Sequence, residues 1–192
     1  EYYSCLGMDD KAFTQAAFER VGKEFSDDQI AEVIKAKTAK WFEFVEKEIP
    51  LFDGAVNFIK KMEKDFALGI VSMAQRKEIE FVLEKTGLRS SFLTIVSAED
   101  VSKHKPDPEC YHSGFNLLDA ERTRLGRNPM VHKDCLVIED SPQGIVAGNL
   151  AGLMTLGIPN TVSAERLREA GADSVSANLN DWMPESVRQV FV

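Results

Sequence analysis

The sequence is poor in basic residues and cysteine and has no long apolar run. Lys and Arg number 23 against 31 Asp and Glu, a net charge of −8. That balance disfavours nonspecific binding to nucleic acid, whose phosphates need Lys and Arg to neutralise them. It also disfavours docking on anionic membranes. A local basic pocket for an anionic substrate remains compatible with it. The three cysteines, Cys5, Cys110 and Cys135, form no CxxC pair, and an odd count builds no simple disulfide framework. They read as core thiols in a reducing compartment, so cytoplasm is the default location. No apolar run approaches the ~18 residues that a membrane helix needs, and no secretory signal pattern is visible. The first residue is Glu1 rather than Met, which raises the expectation of missing upstream sequence, including any targeting segment it carried.

What is present fits a globular protein. Hydrophobic residues make up 44% of the 192 and charged residues 28%, close to the average for folded domains. Disordered chains, collagen-like repeats and small disulfide scaffolds are thereby excluded. The length suits one domain, or a domain with a small insertion, and a core that buries roughly 70% of the unfolded surface.

The first part reads as helical. Asp9 and Asp10 precede a run in which Phe13, Ala16, Ala17, Phe18 and Val21 recur at helical spacing. Ser26-Asp27-Asp28-Gln29 is a capping-box sequence. The stripe from Ile30 to Val45 predicts a long helix that ends near Glu48, stopped by Pro50. Beyond Pro50 the pattern alternates. Helices are predicted over 55–64, 76–86, 109–118, 142–151 and 164–170, and strands over 67–72, 93–97, 135–139 and 153–156. A short strand near 173–175 and a short final helix complete the tail. The polar stretch 119–133 reads as a loop insertion. Strands without polar alternation, separated by helices, imply a parallel sheet covered on both faces.

In such sheets ligands bind beyond the carboxyl ends of the strands. Ser72-Met73-Ala74-Gln75-Arg76 follows the first strand, Lys103-His104-Lys105-Pro106-Asp107-Pro108 the second, and Glu139-Asp140-Ser141-Pro142 the third. Read singly, each has a plain structural role. Ser72 is a helix cap, Asp140 or Ser141 caps the helix that Pro142 opens, Lys105 is a solvated lysine, and the prolines around Asp107 shape a turn. Read together, a hydroxyl, an ammonium and paired carboxylates converge at one sheet edge. A hydroxyl beside a helix N-terminus holds phosphoryl oxygens, an ammonium neutralises their charge, and carboxylates are the ligands Mg²⁺ prefers.

At this point the sequence resembles the haloacid dehalogenase superfamily, and within it the phosphatases with a small helical cap, of the phosphoglycolate phosphatase and beta-phosphoglucomutase type. Ile70-Val71-Ser72 resembles the second motif of that family, Lys105-Pro106-Asp107-Pro108 the third, and Ile138 to Ile145 followed by Ala151-Gly152-Leu153 the fourth. The resemblance implies an α/β fold: a Rossmann-like parallel core at 50–192 with helices on both faces, and a small α-helical cap at 1–49. It implies a Mg²⁺-dependent phosphohydrolase that works through an aspartyl-phosphate. Ser72 and Lys105 are then catalytic. Ser72, Met73, Arg76, Lys105 and Lys11 bind phosphate or substrate, and Asp140 and Glu139 serve the metal. For Glu139 a loop-bonding carboxylate is an equal alternative, and for Arg76 a surface salt bridge is the slightly better one. The expected partner is a small phosphorylated metabolite, such as a sugar phosphate or phosphoglycolate, taken by a monomer. A mutase, or a non-catalytic binding protein of the same fold, is the alternative.

The first motif of the family, Asp-x-Asp at the end of the central strand, has no counterpart. No two Asp residues here are two apart, and Phe52-Asp53-Gly54 lacks the preceding apolar strand. The expectation is that the nucleophile lies upstream of Glu1. The 192 residues alone should then be inactive, with two unpaired strand edges, a groove in the core and a tendency to aggregate.

Overall fold

The computed structural model describes residues 5–191. Two helices come first, α1 (Asp10–Arg20) and α2 (Asp27–Val45), packed on each other. Asp9 caps α1 by accepting from the Ala12 amide at 2.8 Å. Ser26 caps α2 through the reciprocal bonds predicted for it: its Oγ accepts from the Gln29 amide, and the Gln29 side chain accepts from the Ser26 amide. Four donors of a first helical turn lack internal partners, and these bonds satisfy some of them.

The remaining chain alternates as expected. The order is α3 (Ala55–Met62), β1 (Gly69–Val71), α4 (Arg76–Lys85), β2 (Thr94–Val96), α5 (Glu109–Arg124), β3 (Leu136–Glu139), α6 (Pro142–Leu150), β4 (Met154–Gly157), α7 (Ala164–Glu169), β5 (Ser174–Val175) and α8 (Pro184–Phe191). Every strand pair among the described residues is parallel. In β4, Thr155 and Leu156 point to opposite faces and both are fully buried, which requires cover on both sides. On one side Leu156 packs with Phe58 and Met62 of α3 and with Val187 and Phe191 of α8. On the other, Gly148 of α6 lies against Thr155 and Val137, where a Cβ would come within 2.8 Å of the Thr155 methyl.

One feature differs from the reading of the sequence. Helix α5 runs on to Arg124, so the first part of the expected loop insertion is helical. Ala120, Glu121, Arg122 and Arg124 are good helix formers, and an Arg124–Glu121 ion pair at 2.8 Å supports the last turn. Gly126, at φ +76°, ends the run.

The sheet is split, with the unpaired strand edges and the groove that the sequence leads us to expect. β1 pairs with β2, β3 and β5 flank β4, and no ladder joins β1 to β3 among the described residues. A groove of about 1240 Å³ is lined by Gly69 and Val71 of β1 and by Leu136, Val137 and Ile138 of β3. No helix among the described residues is long and apolar enough to cross a membrane.

Candidate active site

The segments that follow β1 and β3 meet the loop before α5 at a cavity of about 570 Å³. Ser72, Met73, Lys105, Glu139 and Asp140 line it from the α/β part. Gly7, Met8, Asp10 and Lys37 line it from the helical pair and the turn before it. The structure thus brings together Ser72, Lys105 and Asp140, three groups drawn from separate strand ends.

Ser72 does not cap α4, whose N-cap is Gln75. Its amide donates to the Val96 carbonyl at 2.9 Å, which continues the β1–β2 ladder by one residue. Its hydroxyl oxygen accepts from the Ala74 amide at 3.2 Å. One lone pair is therefore engaged within the turn, and the hydroxyl hydrogen can be given to another acceptor.

Lys105 is buried, with its ammonium paired to Glu139 and donating to the Tyr111 hydroxyl at 3.0 Å. The same ammonium stands 4.8 Å from the centre of the Tyr111 ring. Tyr111, on the first turn of α5, donates its own hydrogen to Glu139. The second carboxylate oxygen of Glu139 accepts from the Asp140 amide at 3.2 Å and the Ser141 hydroxyl at 3.0 Å. Burial alone would raise the Glu139 pKa. The Lys105 charge and the hydrogen bonds from Lys105, Tyr111 and Ser141 outweigh it and hold the carboxyl below the ordinary range. Burial and the Glu139 charge push the Tyr111 phenol well above its usual value, so it stays a donor.

Asp140 lies at the tip of β3 and accepts from the Thr161 hydroxyl through one oxygen. Ser141 caps α6 by accepting from the Gly144 amide at 3.1 Å, and Pro142 occupies the first helical position, where its missing N–H costs nothing.

Arg76 and Lys11 are placed elsewhere. The Arg76 guanidinium pairs with Asp100 and donates to the Ile95 carbonyl at 3.1 Å. Lys11 pairs with Asp27 at 2.9 Å on the outside of the helical pair. Neither lines the cavity. Sequence reasoning passed over Tyr111 and Lys37. A polar-tipped aromatic one helical turn after the Lys105 loop was the available signal for Tyr111. Lys37 sits among other polar residues of α2 and carried none.

Among the described residues no three His, Cys, Asp or Glu side chains converge as a metal cage. Mg²⁺ does not need one. It keeps several waters and takes one or two carboxylates together with phosphate oxygens. Asp140 presents a carboxylate at the cavity wall, so its chemistry fits that ion. Glu139 fits less well, because both its oxygens are already engaged by Lys105, Tyr111, Ser141 and the Asp140 amide.

The family model described as haloacid dehalogenase-like hydrolase matches residues 1–158. A putative phosphatase YhcW of Bacillus subtilis is 30% identical over 151 residues, which cover 79% of this chain and 63% of that protein. Validoxylamine A 7'-phosphate phosphatase of Streptomyces hygroscopicus subsp. limoneus is 32% identical over 62% of this chain and 51% of its own length. The chain thus spans between half and two thirds of these curated relatives. Among solved structures, beta-phosphoglucomutase of Clostridium difficile superposes with a TM-score of 0.81 at 21% identity, over 98% of this chain and 79% of that one. At that identity the likeness speaks for the fold.

Proposed function

The chain belongs to the haloacid dehalogenase-like hydrolase family, and from that premise we propose a Mg²⁺-dependent phosphohydrolase that cleaves a small phosphate monoester. The observation that carries this reading is the meeting of Ser72, Lys105 and Asp140 at one cavity. Phosphatases among the relatives support the reaction class.

In this reading Ser72 gives its hydroxyl hydrogen to a phosphoryl oxygen. Lys105 sets a fixed positive charge beside the phosphate, and Glu139 and Tyr111 hold that ammonium in place. Asp140 holds the metal ion, with Thr161 fixing the carboxylate. Mg²⁺ supplies further positive charge toward phosphoryl oxygens. The attacking group is the first Asp of an Asp-x-Asp pair. No two Asp residues in these 192 are two apart, so we place that pair outside them and take the 192 residues alone to be inactive. Residues 1–49 act as a cap that shields the cavity from water. The protein works as a cytoplasmic monomer on a small phosphorylated metabolite.

The test is phosphate release from p-nitrophenyl phosphate by the full-length protein, with and without Mg²⁺. Turnover should require Mg²⁺ and fall at least about a hundredfold in Asp140→Asn, as expected when a group that serves transition-state charge is lost. Mg²⁺-independent turnover, or phosphate binding without any turnover, would overturn the reading.

A further inference from the structure

A second polar assembly lines the same cavity. Asp10, at the start of α1, and Lys37, in the middle of α2, both line the cavity that holds Ser72 and Lys105. Lys37 donates to Asp10 Oδ2 at 3.0 Å and to Glu78 Oε1 at 3.0 Å. Gln75, from the N-terminus of α4, donates to the same Asp10 oxygen at 3.1 Å. Gln75 also donates to the Thr38 hydroxyl at 3.3 Å. Asp10 is therefore fixed from the helical pair and from the α/β part at once. Its Oδ1 accepts no hydrogen bond among the described residues.

We propose that Asp10 and Lys37 recognise hydroxyl groups on the leaving alcohol, so that the preferred substrates are monophosphates of small, otherwise uncharged polyhydroxylated alcohols. The inference rests on the phosphohydrolase reading and names the substrate class of the same cavity.

Charge argues first. One ammonium serves two carboxylates, Asp10 and the buried Glu78. Burial would lower the Lys37 pKa, but the bonds and charges of Asp10 and Glu78 raise it, so the cation stays fully protonated. The assembly still sums to about one negative charge. Lys11, the other nearby cation, is turned outward to Asp27. A second phosphate beside this assembly would meet net repulsion.

Geometry argues second. A carboxylate oxygen that accepts, next to an ammonium that donates, matches a pair of neighbouring hydroxyls, each of which gives one hydrogen and takes another. Two fixed contacts, from Lys37 and Gln75, hold the acceptor before the substrate arrives, which lowers the ordering cost of binding. Size agrees, since about 570 Å³ holds a sugar or short polyol phosphate.

The experiment measures kcat/KM of the full-length protein in Mg²⁺ for glycerol 3-phosphate, glucose 6-phosphate, glucose 1,6-bisphosphate and p-nitrophenyl phosphate. The quantity read is the ratio of polyol phosphate to aryl phosphate. Asp10→Ala and Asp10→Leu should each lower this ratio about tenfold, the scale on which a lost hydroxyl contact discriminates substrates. Asp10→Arg should raise the bisphosphate-to-monophosphate ratio by about the same factor. Helix α1 keeps its cap in all three, because Asp9 supplies it, and thermal melts report whether each variant is folded. Ratios within twofold of wild type in folded variants, on a wild-type enzyme that turns over p-nitrophenyl phosphate, overturn the inference alone. A wild-type preference for the bisphosphate also overturns it alone. A wild-type protein that hydrolyses none of the four overturns the phosphohydrolase reading, and the inference with it.

Discussion

Gly144 and Glu139 stand so close that a Cβ on residue 144 would lie 2.0 Å from the Glu139 carboxyl carbon. Real Cβ atoms do not approach other atoms that closely, so glycine at the first turn of α6 is what lets the Glu139 carboxylate fold back over the helix start. There it accepts from Ser141 and faces Lys105. Gly144→Ala should push the carboxylate away from Lys105 and cost roughly 1–3 kcal/mol, the usual penalty for overpacking. Urea denaturation of the variant against the parent checks this. An unchanged midpoint would mean that Glu139 has another position open to it.

Tyr111 shares its hydroxyl between Lys105 and Glu139. Tyr111→Phe keeps the ring, which packs with Val96, Val137 and Ala147, and deletes only the oxygen. Two buried charged groups each lose one partner, at a cost of about 1–3 kcal/mol. Chemical denaturation should show that loss while near-ultraviolet circular dichroism keeps its native form. A variant as stable as the parent would show that Lys105 and Glu139 satisfy each other without the phenol.

Acid should weaken the fold through Asp100. Its carboxyl is drawn upward by partial burial. The Ser97 hydroxyl and amide and the Arg76 guanidinium outweigh this and hold the pKa below the ordinary value. A group whose folded pKa is depressed contributes stability above its unfolded pKa, and that contribution is lost as pH falls through the folded value. The stability of the parent should therefore decline as pH drops below about 4. Asp100→Asn should show a shallower decline over the same window, measured as the urea midpoint from pH 5 to pH 2. Equal slopes in parent and variant would remove Asp100 from the account.

Much of this was legible in the sequence, for reasons that particular residues make plain. Ser72 and Asp140 end apolar runs that can only be buried strands, so strand order alone carries both to one edge of the fold. Ser26 and Gln29 form a local device that needs no tertiary partner, and α2 begins where they predict. The fate of α5 was less visible, because helix formers at 120–124 run directly into the polar and turn-forming residues that follow.

Side-chain direction was hidden altogether. Arg76 belongs to the loop after β1, but its guanidinium turns to Asp100 rather than to the cavity. Lys11 and Lys37 are equivalent as sequence, and only the packing of α2 against α1 and α4 sends one to Asp27 and the other to Asp10 and Glu78. Such choices depend on contacts between elements far apart in the chain, which spacing does not encode.

The groove between β1 and β3 leads to the last prediction. Each strand presents an edge with no ladder partner among the described residues. Ile138, in the middle of β3, is 39% exposed although its strand neighbour Val137 is buried. Unpaired edges that flank an apolar groove are templates for pairing with another chain. A polypeptide of these 192 residues produced by itself should therefore self-associate. Its apparent size in gel filtration should rise with concentration, and an apolar dye such as anilinonaphthalene sulfonate should brighten on binding it. A single extended apolar segment supplied in trans should reduce both effects if it pairs with the two edges. A sharp, cooperative melt of the 192-residue polypeptide as a dye-silent monomer would show instead that β1 and β3 close on each other in solution.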